Sequence, residues 1–182
     1  IDNGEYLYIV ESKNQYFPLF FDLDFIYDFN NINVTIELFD EIIKNINDII
    51  NVFYLKYYEC IITTADIKKI DSLKYNKENC AKKGYHIHWP DIIVNSEIAL
   101  EIRQKCLIKL KTIYGDKTYF VNKFSDILDT TVLTKNGLRL IGSRKGSKSK
   151  DNNIIIDEGR PYYLDYVLKD NKKVECNYDT LT

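Results

Sequence analysis

Two aspartates, Asp22 and Asp24, sit two positions apart inside the apolar run Phe17–Tyr27. Residues spaced this way on a strand point to the same side, with Cα atoms about 7 Å apart. Two carboxylates held so can bridge a pair of hard cations, which usually lie about 3.5–4 Å from each other. Without a cation, like charges set side by side away from water are costly, and each raises the other's pKa. The competing reading is a strand end that emerges into solvent with two surface acids. Acid pairs after an apolar strand also serve sugar-nucleotide transferases and hydrolases.

The chain has only two histidines, both in Gly84-Tyr85-His86-Ile87-His88-Trp89-Pro90. Strand alternation puts Tyr85, Ile87 and Trp89 on one face and His86 and His88 on the other. Imidazole can hydrogen-bond a phosphate, exchange a proton or ligate a metal. One satisfied core histidine beside one surface histidine is the structural alternative. A zinc site from Cys80, His86 and His88 is a third, and it lacks a fourth ligand at ordinary spacing.

A third segment runs from Asp129 through Asn136-Gly137-Leu138-Arg139-Leu140-Ile141-Gly142-Ser143-Arg144-Lys145. Asp129 could supply another carboxylate. Arg139 alternates with Leu138 and Leu140, so a cation within an apolar strand calls for an anionic partner. Gly142 and Ser143 allow close backbone approach to phosphate oxygens, which Lys145 could neutralise. Lys148 and Lys150 read as a solvated basic loop.

These groups need a frame. The stretch Tyr16–Tyr27 places Phe21, Leu23 and Phe25 on one face and Phe20, Asp22, Asp24 and Ile26 on the other, which predicts an interior strand. The loop Asp28–Asn33 leads into an amphipathic helix over about Val34–Tyr54, with Phe39, Ile42, Ile43, Ile46, Ile49, Ile50 and Phe53 at the 3.6 period. A strand near Tyr57–Thr63 follows. Asp66–Lys83, polar and lysine-rich, predicts a loop, and Tyr85–Trp89 a short strand ended by Pro90. Asn95 or Ser96 caps a second helix with the stripe Ala99, Ile102, Cys106, Leu110 and Ile113, and Gly115 stops it. Phe120–Leu128 is ambiguous. Leu138–Ile141 reads as a strand, Gly142–Asn153 as a flexible loop and Tyr162–Leu168 as a strand. Asp170-Asn171 then gives a hairpin turn into Lys173–Cys176. This order predicts an α+β fold, a sheet layered with helices.

Length and composition fit that frame. The 182 residues suit one domain, 45% hydrophobic and 29% charged, which excludes a disordered chain. A net charge of -2 means that any nucleic acid must be held by local patches such as Arg144–Lys150. No apolar run nears the roughly 20 residues of a membrane span, so a membrane partner is not expected. Cys60, Cys80, Cys106 and Cys176 form no C-x-x-C pair and read as reduced intracellular thiols. The absence of methionine and the start at Ile1 suggest a domain cut from a longer protein.

Taken together, the three segments resemble the archaeo-eukaryotic primase superfamily. That family carries an acidic D-x-D strand, a small-x-His strand, then a single Asp followed by a basic strand and loop. Here these are Asp22-Leu23-Asp24, Gly84-Tyr85-His86, Asp129 and Leu138–Lys145, so the likeness spans roughly Phe17 to Lys145. Leu138–Lys145 is similar to the form found in primase-helicases of nucleocytoplasmic large DNA viruses and in eukaryotic primase-polymerases.

The resemblance implies a mixed or antiparallel sheet with packed helices and an RRM-like unit. It implies template-directed nucleotidyl transfer from NTPs or dNTPs on a single-stranded DNA template, making or extending primers in viral DNA replication. Asp22, Asp24 and Asp129 would hold two Mg2+ or Mn2+ ions, and no zinc is expected within these residues. His86 would contact the triphosphate, joined by Lys82, Arg139, Ser143 and Lys145. A helicase module would lie on the same full-length chain. The setting would be an infected cell's cytoplasm or nucleus, or the virion. Leu133 departs from the aromatic residue that relatives often show before the basic strand. A metal-dependent transferase or nuclease built on the acid pair, and a non-catalytic nucleic-acid-binding domain, are the alternatives.

Overall fold

A computed structural model describes residues 8–10, 13–72, 77–115, 119–135, 137–148 and 155–175. Strand β1 (Phe17–Asp28) pairs antiparallel with β4 (Lys77–Val94), and the two form the backbone of the sheet. Their apolar residues alternate so that Phe21, Leu23 and Phe25 in β1 lie opposite Ile87, Tyr85 and Lys83 in β4. Helix α1 (Ile36–Tyr54) covers this face. Its Phe39 meets Phe25 at 4.9 Å and Tyr85 at 5.8 Å between ring centroids. Thr35 caps α1 by accepting from the Leu38 N–H, and Leu55 closes it in the left-handed region, both ordinary ways to satisfy orphan helix-end groups.

β2 (Cys60–Thr64) pairs with β4 on the side away from β1, and helix α2 (Ser96–Tyr114) follows β4. As the sequence predicts, Asn95 caps α2 and Gly115, at φ 67°, ends it. The Tyr114 hydroxyl donates to Glu41 and accepts from Asn45, locking α2 to α1. The order β1–α1–β2–β4–α2, with β4 between β1 and β2, is that of an RRM-like unit. Residues 119–129 then run along the outer edge of β1, where the fourth strand of such a unit belongs. Val121 N–H donates to the Ile26 carbonyl at 2.7 Å, and Leu128 bridges Leu23. β1 is thus hydrogen-bonded on both edges, as an interior strand is.

Short helices α3 (Phe124–Ile127) and α4 (Thr131–Thr134) complete this edge. At the opposite edge β7 (Tyr163–Lys169) pairs with β2, and β8 (Lys172–Glu175) pairs with β7. Asp170 and Asn171, both with positive φ, form the predicted turn. The fold is therefore α+β, an antiparallel sheet with helices packed on it.

Four sequence expectations change. Asp66–Lys83 is not one loop: β3 (Lys68–Ser72) pairs with the first part of β4. Edge strands can be polar and lysine-rich, so no apolar period marks them. β4 also runs beyond Pro90; the ladder skips from Leu19↔Trp89 to Pro18↔Ile93 there, because proline cannot donate to it. Leu138–Ile141 is not a strand but irregular chain with a single bridge, Val10↔Arg139. Part of the expected basic loop is instead a two-stranded ribbon of β5 (Lys145–Lys148) and β6 (Ile155–Gly159). Lys150 and Cys176 lie outside the described residues.

Candidate active site

β-Sheet parity builds the site. Asp22 on β1 is directly opposite His86 on β4, and His86 is opposite Thr63 on β2. Directly paired residues share a face, so Asp22, His86 and Thr63 form a row across three strands on the side away from α1. Asp24 lies opposite Gly84 one step along, and Phe20 opposite His88 one step back.

Asp22 Oδ1 and His86 Nε2 are 3.8 Å apart, too far for a hydrogen bond. Asp22 Oδ1, His86 Nδ1 and Thr63 Oγ1 are all shielded from solvent and find no hydrogen-bond partner among the described residues. Burial first, then the Asp24 charge, push the Asp22 carboxyl up to about 8 against Lys82, with Asp129 adding to the rise and Arg139 opposing it. The Asp22 side chain still keeps 18% of its surface exposed, so it borders the open part of the site. His86 is held well below its usual pKa by burial, then by His88 and Arg139. His88 is lowered to about 4 by burial alone. Both imidazoles are neutral at pH 7.

Asp24 has a partner: Lys82 Nζ lies 2.6 Å from its Oδ2, each side chain 28% exposed. Asp129 reaches the row through the main chain, its N–H donating to the Asp22 carbonyl at 3.0 Å. Its own Oδ1 accepts from Thr131 N–H at the start of α4. Among the described residues no three acids, histidines or cysteines close into a ready metal cage. Two of the three aspartates are engaged by other donors, Asp24 by Lys82 and Asp129 by the Thr131 N–H. The unpartnered Asp22 oxygen, its raised pKa and an all-carboxylate donor set nonetheless fit a hard divalent cation.

The cations predicted for phosphate contact divide. Lys82 is within the row's reach through Asp24. Arg139 Nη1 donates to the Arg160 carbonyl at 3.2 Å, and its guanidinium lies 4.9 Å over the Tyr162 ring. Its charge reaches Asp22 and His86. Ser143 is buried, and its hydroxyl accepts from Ile9 N–H. Lys145 opens β5 at an exposed position. Leu133, the departure noted above, is fully buried in α4. A zinc site shared by Cys80 and His86 is excluded by distance. Six residues along one strand separate the two by about 20 Å, and Cys80 pairs with Asp28 rather than Asp22.

Three supporting residues escape sequence reasoning. Tyr162 stacks on His86 with ring centroids 3.5 Å apart, and no local pattern marks it. Asn122 donates to the Asp24 carbonyl and accepts from Ile26 N–H, a side chain acting as a strand partner. Arg103 on α2 is 9% exposed and donates to the carbonyls of Leu128 and Ser125 at 2.8 and 2.7 Å. Arg103 could have been found, since it is four residues after Ala99 on the buried stripe.

A groove of about 580 Å³ between α1 and α2, lined by Ile49, Phe53, Lys105 and Ile113 among others, lies away from these acids and brings no comparable cluster together. Among the described residues no helix is long and apolar enough to cross a membrane.

No curated protein matches the chain closely enough to count as a relative. A family model does. The model described as the C962R protein N-terminal AEP domain matches residues 1–167, a span that includes the acid pair, the histidine strand, Asp129 and the basic segment. The chain belongs to this family of archaeo-eukaryotic primase domains.

Proposed function

We propose that this domain carries out template-directed nucleotidyl transfer, as a DNA primase or polymerase making or extending primers from NTPs or dNTPs. The observation that carries this reading is the row Asp22–His86. It is a buried carboxylate oxygen without a partner, facing a neutral imidazole, with Asp129 hung beside it and Lys82 and Arg139 close by. Asp22, Asp24 and Asp129 would hold two Mg2+ or Mn2+ ions. When bound, such ions neutralise triphosphate charge and make the primer 3′-hydroxyl easier to deprotonate. His86, neutral and fixed, offers the triphosphate a hydrogen bond, and Arg139, Lys82 and Lys145 offset its charge. Chemistry of this kind rests mostly on positioning and charge neutralisation, and these residues supply both. Single-stranded DNA is the proposed template, with a helicase module on the full-length chain of a large DNA virus.

The test is extension of a labelled primer on single-stranded template with Mn2+ or Mg2+ and NTPs or dNTPs. His86→Ala is expected to lower incorporation by about two orders of magnitude, within the range for one polar contact to a developing charge, and His88→Ala much less. Transfer from a UDP-sugar, or cleavage of labelled DNA without any extension, would replace this reading with one of the other acid-pair activities.

A further inference from the structure

Tyr162 is buried, 4% exposed, and packs on His86, Arg139 and Gly84. Its ring lies 3.5 Å from the His86 ring at an interplanar angle of 18°. The same ring carries the Arg139 guanidinium. Its hydroxyl sits over Gly84: a Cβ there would be 2.4 Å from that oxygen, 3.3 Å from the Tyr162 Cζ and 3.5 Å from an Asp24 carboxylate oxygen. Gly84 has no left-handed φ, so its backbone would accept any residue. What requires glycine at this position is the room taken by Tyr162.

The chain is bent to deliver this ring. Gly159 and Arg160 both have positive φ, 72° and 54°, and turn the backbone into Pro161. Gly142 N–H donates to the Tyr162 carbonyl at 2.8 Å, and Arg139 to the Arg160 carbonyl. The basic segment and the stretch 160–162 are therefore one unit.

Resting on the nucleotidyl-transfer reading, we propose that Tyr162 is the positioning residue of the triphosphate site, holding the His86 imidazole so that only its edge is offered to phosphate and keeping Arg139 beside it. An imidazole stacked on a fixed ring cannot turn about its own axis without giving up that face. Its nitrogens are therefore pre-aimed, and substrate binding does not have to supply the ordering. The stack also occupies a ring face on which a nucleobase could otherwise lie, leaving His86 to the phosphates.

The test measures steady-state single-nucleotide extension for Tyr162→Leu, Tyr162→Phe, Gly84→Ala and the double variant Gly84→Ala/Tyr162→Phe, with His86→Ala alongside. Melting curves and the NMR shifts of the His86 ring protons are recorded for each. Tyr162→Leu is expected to raise KM for the triphosphate about tenfold and to abolish the upfield ring-current shift at His86. Tyr162→Phe keeps the ring and stays within about threefold of wild type. Gly84→Ala displaces the phenol and matches Tyr162→Leu. Removing the hydroxyl takes away the 2.4 Å conflict, so the double variant recovers most of the lost KM and the shifted His86 signals. This rescue still reads out if Tyr162→Leu fails to fold.

If His86→Ala raises KM while Tyr162→Leu does not, or if the double variant is no better than Gly84→Ala, the positioning role is wrong and the activity assignment stands. If His86→Ala also leaves KM unchanged, His86 does not meet the triphosphate and the positioning role falls, whereas a wild type that extends no primer overturns the activity reading itself.

Discussion

The main-chain N–H of Asp129 donates to the main-chain carbonyl of Asp22 across 3.0 Å, so the third acid is fixed to the first through the backbone. A side-chain link would compete with metal for the carboxylate; this one leaves Asp22's oxygens available. Asn122 secures the same segment further along β1, and Arg103 secures it from α2.

Asp22 carries the unfavourable charge, and this sets a pH dependence. Its folded pKa of about 8 lies above the unfolded carboxylate value of about 3.9. Between these values the folded state holds a proton that the unfolded state has lost, so the group's contribution to stability falls as pH rises. The penalty is absent near pH 4 and complete above pH 8. Asp22→Asn is expected to melt with wild type near pH 4 and above it at pH 8, by at least about 2–4 °C, or about 1 kcal/mol for a domain of this size. Saturating Mn2+ stabilises the wild type by mass action and closes the gap. Equal melting temperatures across the range would show that Asp22 is not under this strain.

Lys82 is expected to act with opposite signs on the two ligands. It occupies Asp24 in the metal-free protein, in a partly exposed pair worth up to about 1 kcal/mol. Lys82→Met frees Asp24 and should tighten Mn2+ binding roughly two- to fivefold, the equivalent of that energy. On the proposed function Lys82 also meets the triphosphate, so the same change is expected to weaken triphosphate binding. Calorimetric titration with Mn2+ alone, then with a non-hydrolysable triphosphate, separates the two; weakening of both contradicts the placeholder role.

Arg103→Lys keeps the charge but cannot hold both carbonyls. Losing a charge-assisted bond in a nearly buried setting costs about 2 kcal/mol, and the segment bearing Asp129 loosens with it. Mn2+ affinity should fall along with stability. Lys105→Gln, an exposed change on the same helix, should affect neither. Unchanged Mn2+ binding in a destabilised Arg103→Lys would confine Arg103 to fold stability.

Arg139→Ala is expected to weaken triphosphate binding at least tenfold, about 1.4 kcal/mol. Lys109→Ala, in the groove between the helices, should leave it unchanged. Equal losses would mean that charge at large, and not the place of Arg139, governs binding.

Much of the frame was legible because it rests on periodicity. The 3.6 spacing of Phe39 to Phe53 gave α1, and Asn95 and Gly115 gave the ends of α2. The period-2 alternation gave Asp22 and Asp24 one shared face of β1 and His86 and His88 one shared face of β4, and the ladder then joins the two faces. Polar strands were not legible: β3 and the start of β4 satisfy their backbones by pairing, not by burying a face. Arg139 alternates with leucines, yet its backbone makes one bridge, because alternation alone does not provide a partner strand. Tyr162 reaches His86 across 76 positions of chain, set by the numbering alone, through a turn and a hydrogen bond that no local window contains.

The break in the ladder between Pro18 and Leu19 gives the chain a place to lose count. N-terminal to it, an added or deleted residue in β1 or in Pro90–Ile92 can be taken up where pairing is already interrupted. Between Leu19 and Asp28 there is no such slack. A single-residue insertion ahead of Asp22 would turn Leu23 toward the side of His86 and drive an aspartate under α1, against Phe39. Within β1, length variation is therefore expected to be tolerated before Leu19 and to dismantle the row between Leu19 and Asp28.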